Sequence, residues 1–331
     1  MAEEAEAGKR AWVGFDLGGT KMMAVVFDQD LRVLGKKRRK TRSSGGGSVG
    51  LDRLAETIEL ALAESGVTVD QLAGVGAGCP GPLDLQKGII LEAPNLGWKN
   101  VPLQEYLAKR FKCPAVICND VDAGVFGEYS AGVAQGQRSV LGVFPGTGIG
   151  GGFVYEGRIL RGTRSSCMEV GFLQMATEGG TAGAGPAGTL EGLASRLAIS
   201  AEAAKAVYRG QAPHLRALAG TDLSRIRSST LAAAIEQGDE VVEQIVRRAA
   251  EQVGRGIGSL INILAPDLVV LGGGLVEALP RLYLDGVREG IRRNALPSLV
   301  DQHKLKTAEL GDLAGATGAA ALIRQHVFPA E

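Results

Sequence analysis

Asp16-Leu17-Gly18-Gly19-Thr20-Lys21 and Gly146-Thr147-Gly148-Ile149-Gly150-Gly151-Gly152 are the two stretches that decide the fold of this chain. Both are glycine-rich and have β-prone apolar residues on either side, so each is predicted to close a β-hairpin. The flanking strands are expected at 12–15, 22–27, 140–144 and 153–155. Glycine lets backbone N–H groups gather around an anion because no Cβ is in the way, and Thr20 and Lys21 add a hydroxyl and a positive charge. Two such turns predict two lobes that close on one polyphosphate.

Other interpretations of the glycine turns fit less well. A dinucleotide fingerprint needs a helix after its glycines, whereas residues 153–158 are β-rich. A Walker A loop is absent, because no Gly-Lys pair is followed by Ser or Thr. The remaining alternative is that both turns are plain hairpins. The Asp before the first turn and the Thr inside each turn favour nucleotide binding.

Composition is typical of a soluble globular protein. The 331 residues favour two domains, and 45% of them are hydrophobic. Lys plus Arg and Asp plus Glu both number 36, so net charge does not favour nucleic acid or acidic membranes as partners. The basic run Lys36 to Lys40 is interpreted as a solvated sheet edge. The four cysteines lack C-x-x-C spacing, which favours reduced thiols and a cytoplasmic location.

Organisation along the chain is a β/α alternation that restarts halfway. Each half opens with a glycine-turned hairpin, which predicts a duplicated α/β fold with a central cleft. We expect a disordered tail at 1–10, an N-terminal lobe at 11–130 and a larger C-terminal lobe at 131–331, with the last helix packing back on the first lobe. The tail lacks the apolar core of a signal peptide, and no apolar run reaches membrane-spanning length. Residues 201–229 have no functional interpretation.

Two aspartates are candidates for catalysis. Asp120 follows a predicted buried strand and precedes a predicted helix over 121–131, where a carboxylate can accept the proton of an alcohol that attacks a γ-phosphate. A plain helix cap is its alternative role, and Asp122 is expected to be a solvated acid of the first turn. Asp16 would repel phosphate unless Mg²⁺ intervened, usually through water; the alternative is an Asp that only shapes the turn.

Glu169 and Glu191 follow the second glycine turn. Carboxylates recognise sugar hydroxyls well because they accept two hydrogen bonds at once. Taken singly, each is more often a surface acid.

With these residues in place, the chain resembles the ROK family of bacterial sugar kinases. The resemblance runs from Val13 to Leu322. It is carried by residues 16–21, 80–84, 93–96, Asn119-Asp120, 146–152, 169–171, 188–191 and 271–274. It implies the actin/hexokinase-like (ribonuclease H-like) two-lobe fold and ATP-dependent phosphorylation of a hexose, often glucose at its 6-hydroxyl. It also implies a place in carbohydrate metabolism and glycolysis, a homodimer, and closure of the lobes over sugar and MgATP.

The resemblance also implies roles for single residues. Asp120 would be the general base, and Asp16 would meet the Mg²⁺ of MgATP through water. Contacts to the sugar would come from Gly81, Asn119, Asp120, Glu169, Glu191 and the position of Phe172. Phosphates would be held by Gly18, Gly19, Thr20, Lys21, Thr147 and Gly148, and Gly272, Gly273 and Gly274 would approach the adenosine.

The chain departs from the family at its structural zinc site. Phe172 occupies the position of the family's zinc-binding His. The positions of the family's three zinc-binding Cys residues are occupied by Ala182, Ala184 and Thr189. A structural zinc site of this kind uses His nitrogen and Cys sulfur ligands in tetrahedral geometry, so no zinc is predicted at this site. The His also touches the sugar in the family, and a Phe leaves one hydroxyl without its partner, at a cost of roughly 1–3 kcal/mol.

Three functions compete at this stage. The first is a glucokinase, and the second a kinase for fructose, mannose, allose or an N-acetylhexosamine. The third is a catalytically weak sugar-sensing regulator. Family repressors carry a DNA-binding domain before the kinase-like part; fifteen residues precede Asp16, so no such domain is expected. The sequence leaves open which sugar binds and whether ATP or polyphosphate is the donor.

Overall fold

The computed structural model describes residues 11–41, 46–176 and 186–329, which fall into two compact units. The first unit takes in the chain up to Arg138 together with 152–167 and everything from Glu309 on; the second comprises 139–151 and 168–308. These compact units divide after Arg138 and place two later segments in the first unit, and the lobe boundary expected after residue 130 stays a prediction. The tail expected at 1–10 lies outside the described residues.

A five-stranded sheet forms the centre of the first unit, in the order β3-β2-β1-β4-β8. Its strands are β1 (Ala11–Leu17), β2 (Lys21–Phe27), β3 (Val33–Lys40), β4 (Leu72–Cys79) and β8 (Ala115–Asn119). The first three strands are antiparallel neighbours, and β1, β4 and β8 run parallel. The predicted hairpin at 18–20 is thus confirmed, and the basic run lies on the edge strand β3, as expected.

Helices and a small sheet complete the first unit. The helices are α1 (Gly46–Ser65), α2 (Leu103–Phe111), α3 (Asp120–Ala131) and, from the chain's end, α12 (Ala314–Val327). The small sheet is β5 (Leu83–Asp84), β6 (Ile89–Ala93) and β7 (Trp98–Val101). Helix α12 packs against α3, β1 and β4. The apolar run of β1 and β2 is almost wholly buried, which fits a strand covered on both faces.

The second unit is built on parallel strands. They are β9 (Ser139–Pro145), β12 (Leu268–Leu271) and β13 (Lys304–Thr307), with β12 between the other two. The turn at 146–148 leads from β9 into β10 (Ile149–Tyr155), which confirms the second predicted hairpin; β10 ends in the first unit, where it pairs with β11 (Arg158–Ile159).

The helices of the second unit come in two groups, one before β12 and one between β12 and β13. They are α4 (Leu190–Ala194), α5 (Arg196–Tyr208), α6 (Pro213–Ala219), α7 (Ser228–Glu236), α8 (Glu240–Leu264), α9 (Gly274–Ala278), α10 (Pro280–Asn294) and α11 (Pro297–Val300). The longest, α8, buries one apolar face and packs along α10. Within the described ranges, no helix has the length and apolar character needed to cross a bilayer.

Candidate active site

Parallel strand pairing places two aspartates at one edge of the first unit's sheet. Asp16 lies opposite Gly78 of β4, and Cys79 of β4 lies opposite Asn119 of β8, directly before Asp120. The carboxyl ends of parallel strands are where α/β folds bind ligands. Asp16 and Asp120 are both half-buried and interact electrostatically. The structure thus brings together the two carboxylates that the sequence singled out.

Asp16 is an unusually weak acid for an aspartate. Burial raises its pKa from 3.8 to about 6; the nearby charges of Asp120 and Asp312 add to the rise and Arg38 opposes it. A buried carboxylate beside other carboxylates is costly to ionise because like charges repel at low dielectric. Asp312 and Arg38 were missed at the sequence level, although Arg38 lies in the basic run.

The glycine turn beside Asp16 is held in shape by the segment that follows β3. The Thr41 hydroxyl donates to the carbonyl oxygen of Gly18 at 2.8 Å, and the Thr41 N–H donates to the carbonyl oxygen of Thr20 at 2.8 Å. A Cβ on Gly19 would lie 3.5 Å from Cβ of Asn95. Gly19, Thr20 and Lys21 are exposed, so the turn can be reached by an anionic ligand.

Asn119, not Asp120, is the N-cap of α3. Its Oδ1 accepts hydrogen bonds from the N–H groups of Val121 at 2.9 Å and Asp122 at 3.2 Å. Asp120 is the first helical residue, and its Oδ1 accepts from the Val121 N–H at 3.0 Å. The capping role that was the alternative for Asp120 is therefore taken by its neighbour. The amide NH₂ of Asn119 is a donor that capping does not use.

The expectation that Asp122 is solvated is wrong. Asp122 is in the first turn of α3, but only 2% of its surface is exposed. Ser166, which follows β11 in the first unit, donates its hydroxyl to Oδ2 of Asp122. The sequence carried no signal for this bond, since it joins residues far apart in the chain.

The backbone conformation and surroundings of Gly81 require glycine at this position. Its φ is +81°, and a Cβ there would lie 2.2 Å from the carbonyl oxygen of Glu92. Any other residue would be strained and would collide with β6. Because β4 runs parallel to β1 and β8, the loop that carries Gly81 lies at the same sheet edge as the carboxyl ends of those strands.

In the second unit, the glycine turn at 146–148 is tied to two side chains. Oε2 of Glu191 accepts from the Ile149 N–H at 2.9 Å, and a Cβ on Gly148 would lie 2.2 Å from that oxygen. Arg196 donates its Nη2 to the Thr147 hydroxyl oxygen at 2.8 Å, and its N–H to the Gly146 carbonyl oxygen at 2.9 Å. Glu191 therefore shapes the turn, and Arg196 places a cation there that the sequence analysis missed.

Residues 169–172 form a short turn whose first and last residues are exposed and whose middle residues are buried. Glu169 precedes a 3-10 helix at Val170–Phe172 and is exposed, as is Phe172 at 46%. Thr189, at one of the family's zinc-ligand positions, is buried and caps α4 by accepting from the Gly192 N–H at 3.2 Å. Ala182 and Ala184 lie outside the described residues. Among the residues that are described, no three His, Cys, Asp or Glu side chains form a metal-binding group.

Gly272, Gly273 and Gly274 connect β12 to α9. Gly273 has a φ of +88°, and a Cβ there would lie 2.6 Å from the carbonyl oxygen of Pro145. A Cβ on Gly272 would lie 2.4 Å from the Phe144 ring. The triplet thus lets the start of α9 sit close to the end of β9, near the glycine turn.

Comparison with known proteins gives consistent matches over nearly the whole chain. The family model described as the ROK family matches residues 12–326. The solved structure of a ROK hexokinase from Thermus thermophilus is 35% identical with a TM-score of 0.79, and the match covers 94% of this chain and 96% of that one. A ROK family glucokinase from Streptomyces griseus, solved with glucose and AMPPNP, is 30% identical with a TM-score of 0.81, covering 95% and 99%. The curated glucokinase of Halalkalibacterium halodurans is 30% identical over 321 residues, which is 96% of each chain.

Proposed function

The chain belongs to the ROK family, and on that premise we propose that it is a sugar kinase that transfers the γ-phosphoryl group of ATP to a hexose hydroxyl, with glucose as the acceptor. The observation that carries the proposal is the pair Asp16 and Asp120 at one strand edge beside the exposed glycine turn. The ROK relatives named above include a glucokinase solved with its sugar and an ATP analogue, which supports both the reaction class and the donor.

In this proposal Asp120 is the general base. It accepts the proton of the sugar hydroxyl as the hydroxyl oxygen bonds to the γ-phosphorus, and the bond from that phosphorus to the β–γ bridging oxygen breaks to release ADP. Its place at the N-terminus of α3 suits a carboxylate, because the helix dipole favours negative charge there. Asn119 presents its amide NH₂ to a neighbouring sugar hydroxyl.

The residues around Asp16 fit Mg²⁺ that arrives with ATP. Burial and two neighbouring carboxylates make the Asp16 charge costly, and a divalent cation would offset that cost. The described residues hold no group of three metal-ligating side chains, so Asp16 would meet the cation through water. Bound Mg²⁺ would neutralise charge on the phosphates. Gly18 to Lys21 would hold phosphate oxygens through N–H groups, the Thr20 hydroxyl and the Lys21 ammonium group.

The second unit is proposed to complete substrate binding. Thr147 and Gly148 would contact phosphates, and Gly272 to Gly274 would approach the adenosine. Glu169 and Glu191 would contact the sugar, although Glu191 already accepts one backbone hydrogen bond from the turn. Phe172 offers no hydrogen bond, so the hydroxyl that it faces would decide between glucose and another hexose.

The test is a coupled assay of ADP release with MgATP and a panel of hexoses. We expect turnover with the wild-type protein and a loss of roughly 10²–10⁴-fold in Asp120→Asn, the range for removal of a general base. Asp70→Asn, at an exposed position in the first unit, is the matched control and should retain full activity.

The assay also separates the alternatives. Turnover with another hexose but not with glucose would refute the glucose assignment, and Phe172→His would then be tested for gain of glucose turnover. No turnover with any hexose, in a protein that still binds the sugar, would refute the kinase proposal and favour a sugar-sensing regulator.

A further inference from the structure

Three residues form a row across the antiparallel strands of the first unit's sheet. Asp16 of β1 lies directly opposite Met23 of β2, and Met23 lies directly opposite Arg38 of β3. Directly opposed residues in a sheet point to the same face, so Arg38 shares a face with Asp16. Its Nη2 lies 3.8 Å from the Met23 sulfur, which places the guanidinium over the middle of the row.

Arg38 also forms an ion pair with Asp312. Arg38 Nη2 donates to Oδ2 of Asp312 at 2.5 Å. Asp312 lies in a 3-10 helix at Gly311–Leu313, immediately before α12. Gly315, in the first turn of α12, is so close to Asp16 that a Cβ there would lie 3.1 Å from the Asp16 carboxyl carbon. The segment that carries Asp312 therefore packs on the face that Asp16 and Arg38 share.

The charges that act on the Asp16 carboxyl are unbalanced. Asp120 and Asp312 act on the Asp16 carboxyl in one direction, and Arg38 acts in the other. Three carboxylates thus stand against one guanidinium, next to a turn proposed to receive a polyphosphate. Side-chain exposures of 42% for Arg38 and 76% for Asp312 mean that this ion pair adds little to stability. The position of the Arg38 charge matters more than the bond itself.

We propose that Arg38 is a positioning residue for MgATP: its charge offsets the carboxylates beside the glycine turn, and Asp312 keeps its guanidinium on the face that holds Asp16. The inference rests on the proposed function. Arg38 acts through the field at Asp16 and the turn, so it is not a catalytic residue. The basic run of β3 is then more than a solvated sheet edge, because one of its five cations has a place in the site.

The experiment compares Arg38→Met, Asp312→Asn, the double variant and Arg38→Lys. The readouts are MgADP binding by calorimetry, the KM for MgATP and for the sugar, and thermal unfolding. Arg38→Met is expected to weaken MgADP binding and raise the KM for MgATP about tenfold, the size of a unit charge several ångströms away at intermediate dielectric. The sugar KM should stay within about twofold, and Arg38→Lys should recover most of the loss because it restores the charge.

The diagnostic result is that Arg38→Met weakens MgADP binding whereas Asp312→Asn does not. Asp312→Asn removes a negative charge, so nucleotide binding should stay equal or strengthen, and the double variant should fall between the single variants. The Arg38→Met effect should also shrink at high salt, where charges are screened. Lys36→Met, on the same strand and the same face, is the control and should change MgADP binding by less than about twofold, because it lies two residues further from the row.

Several outcomes would overturn the inference. If Arg38→Met and Asp312→Asn weaken binding equally, the pair is only a structural link. If neither variant alters MgADP binding in an active wild-type protein, Arg38 has no such role while the kinase proposal stands. If the wild-type protein neither binds MgADP nor phosphorylates any sugar, both proposals fail together.

Discussion

At the scale of single residues, Asp16 illustrates a conflict between stability and the proposed function. Its carboxyl is half-buried and faces the charges of Asp120 and Asp312, and burial together with these charges raises its pKa to about 6. The charge of Asp16 does not stabilise the folded protein, so the presence of an aspartate at this position requires another explanation. Attraction of a divalent cation is that reason in the proposed mechanism.

Asp16→Asn should therefore stabilise the protein at neutral pH. The unfolded chain ionises Asp16 near 3.8 and the folded chain near 6, so between these values the folded state binds more protons and the free energy of unfolding falls as pH rises. Above pH 6 the whole penalty is present. We expect Asn to raise the free energy of unfolding by about 2 kcal/mol at pH 7.5 and by almost nothing at pH 4.

Urea unfolding of both proteins at the two pH values measures this effect, with Asp70→Asn as an exposed control. A destabilised Asp16→Asn protein at pH 7.5 would contradict the prediction. The same variant should lose sugar phosphorylation, which separates stability from activity in one substitution.

Residue-level prediction from the sequence was strongest where local chemistry decides the outcome. Asp16 and Asp120 were recognised because each follows a β-prone run at a turn. Asp122 was misjudged because its hydrogen-bond partner Ser166 is distant in the sequence, and a cap remained the alternative role for Asp120 because Asn119 and Asp120 are both good N-caps. Arg38 and Asp312 were missed because their pairing joins the first hairpin to the last helix.

At the scale of elements, α12 packs on its neighbours with almost no side-chain layer between them. A Cβ on Gly318 would lie 1.7 Å from the carbonyl oxygen of Ala123 in α3, and a Cβ on Gly127 would lie 2.2 Å from that of Ala314. Gly14 of β1 is equally close to Ala316. Backbone therefore meets backbone at these points, and only glycine fits.

Gly318→Ala tests that packing. Alanine favours helix over glycine by about 1 kcal/mol, but its methyl group would force α12 away from α3. Because overpacking costs typically 1–3 kcal/mol and sometimes more, we expect a net loss of stability of about 2 kcal/mol in chemical unfolding. Gly162→Ala is the matched control, since its added Cβ would meet no atom closer than 3.4 Å. Equal unfolding midpoints for the two variants would show that α12 can shift without cost.

At the scale of the whole molecule, the α/β class and the two glycine-turned hairpins were predicted correctly from the glycine turns and apolar periodicity. The assignment of residues 152–167 to the first unit is harder to predict, because this segment joins that unit through contacts that no local pattern reveals. The family's zinc site is also a long-range feature, because a set of metal ligands normally links distant segments and helps to hold a fold together.

We expect this protein to fold without zinc. Of the four positions that hold the metal in the family, Phe172 is exposed and Thr189 serves as a helix cap, and neither side chain is a zinc ligand. The segments 173–176 and 187–190 are joined instead by hydrogen bonds, among them Leu190 N–H to the Leu173 carbonyl oxygen at 2.9 Å. Elemental analysis should find far less than one zinc per chain, and a strong chelator should leave the thermal midpoint unchanged. Stoichiometric zinc or a chelator-induced drop would refute this.

The place of α12 in the first unit has a consequence for how the protein is made. The ribosome delivers β1 and β4 early, but the helix that covers them follows the second unit in the sequence. At a translation rate of ~5–20 residues per second, tens of seconds pass between synthesis of the first unit's sheet and synthesis of α12. During that interval the glycine-lined surface of the nascent sheet is open to chaperones and to wrong partners, so the first unit to emerge is the last that can finish folding.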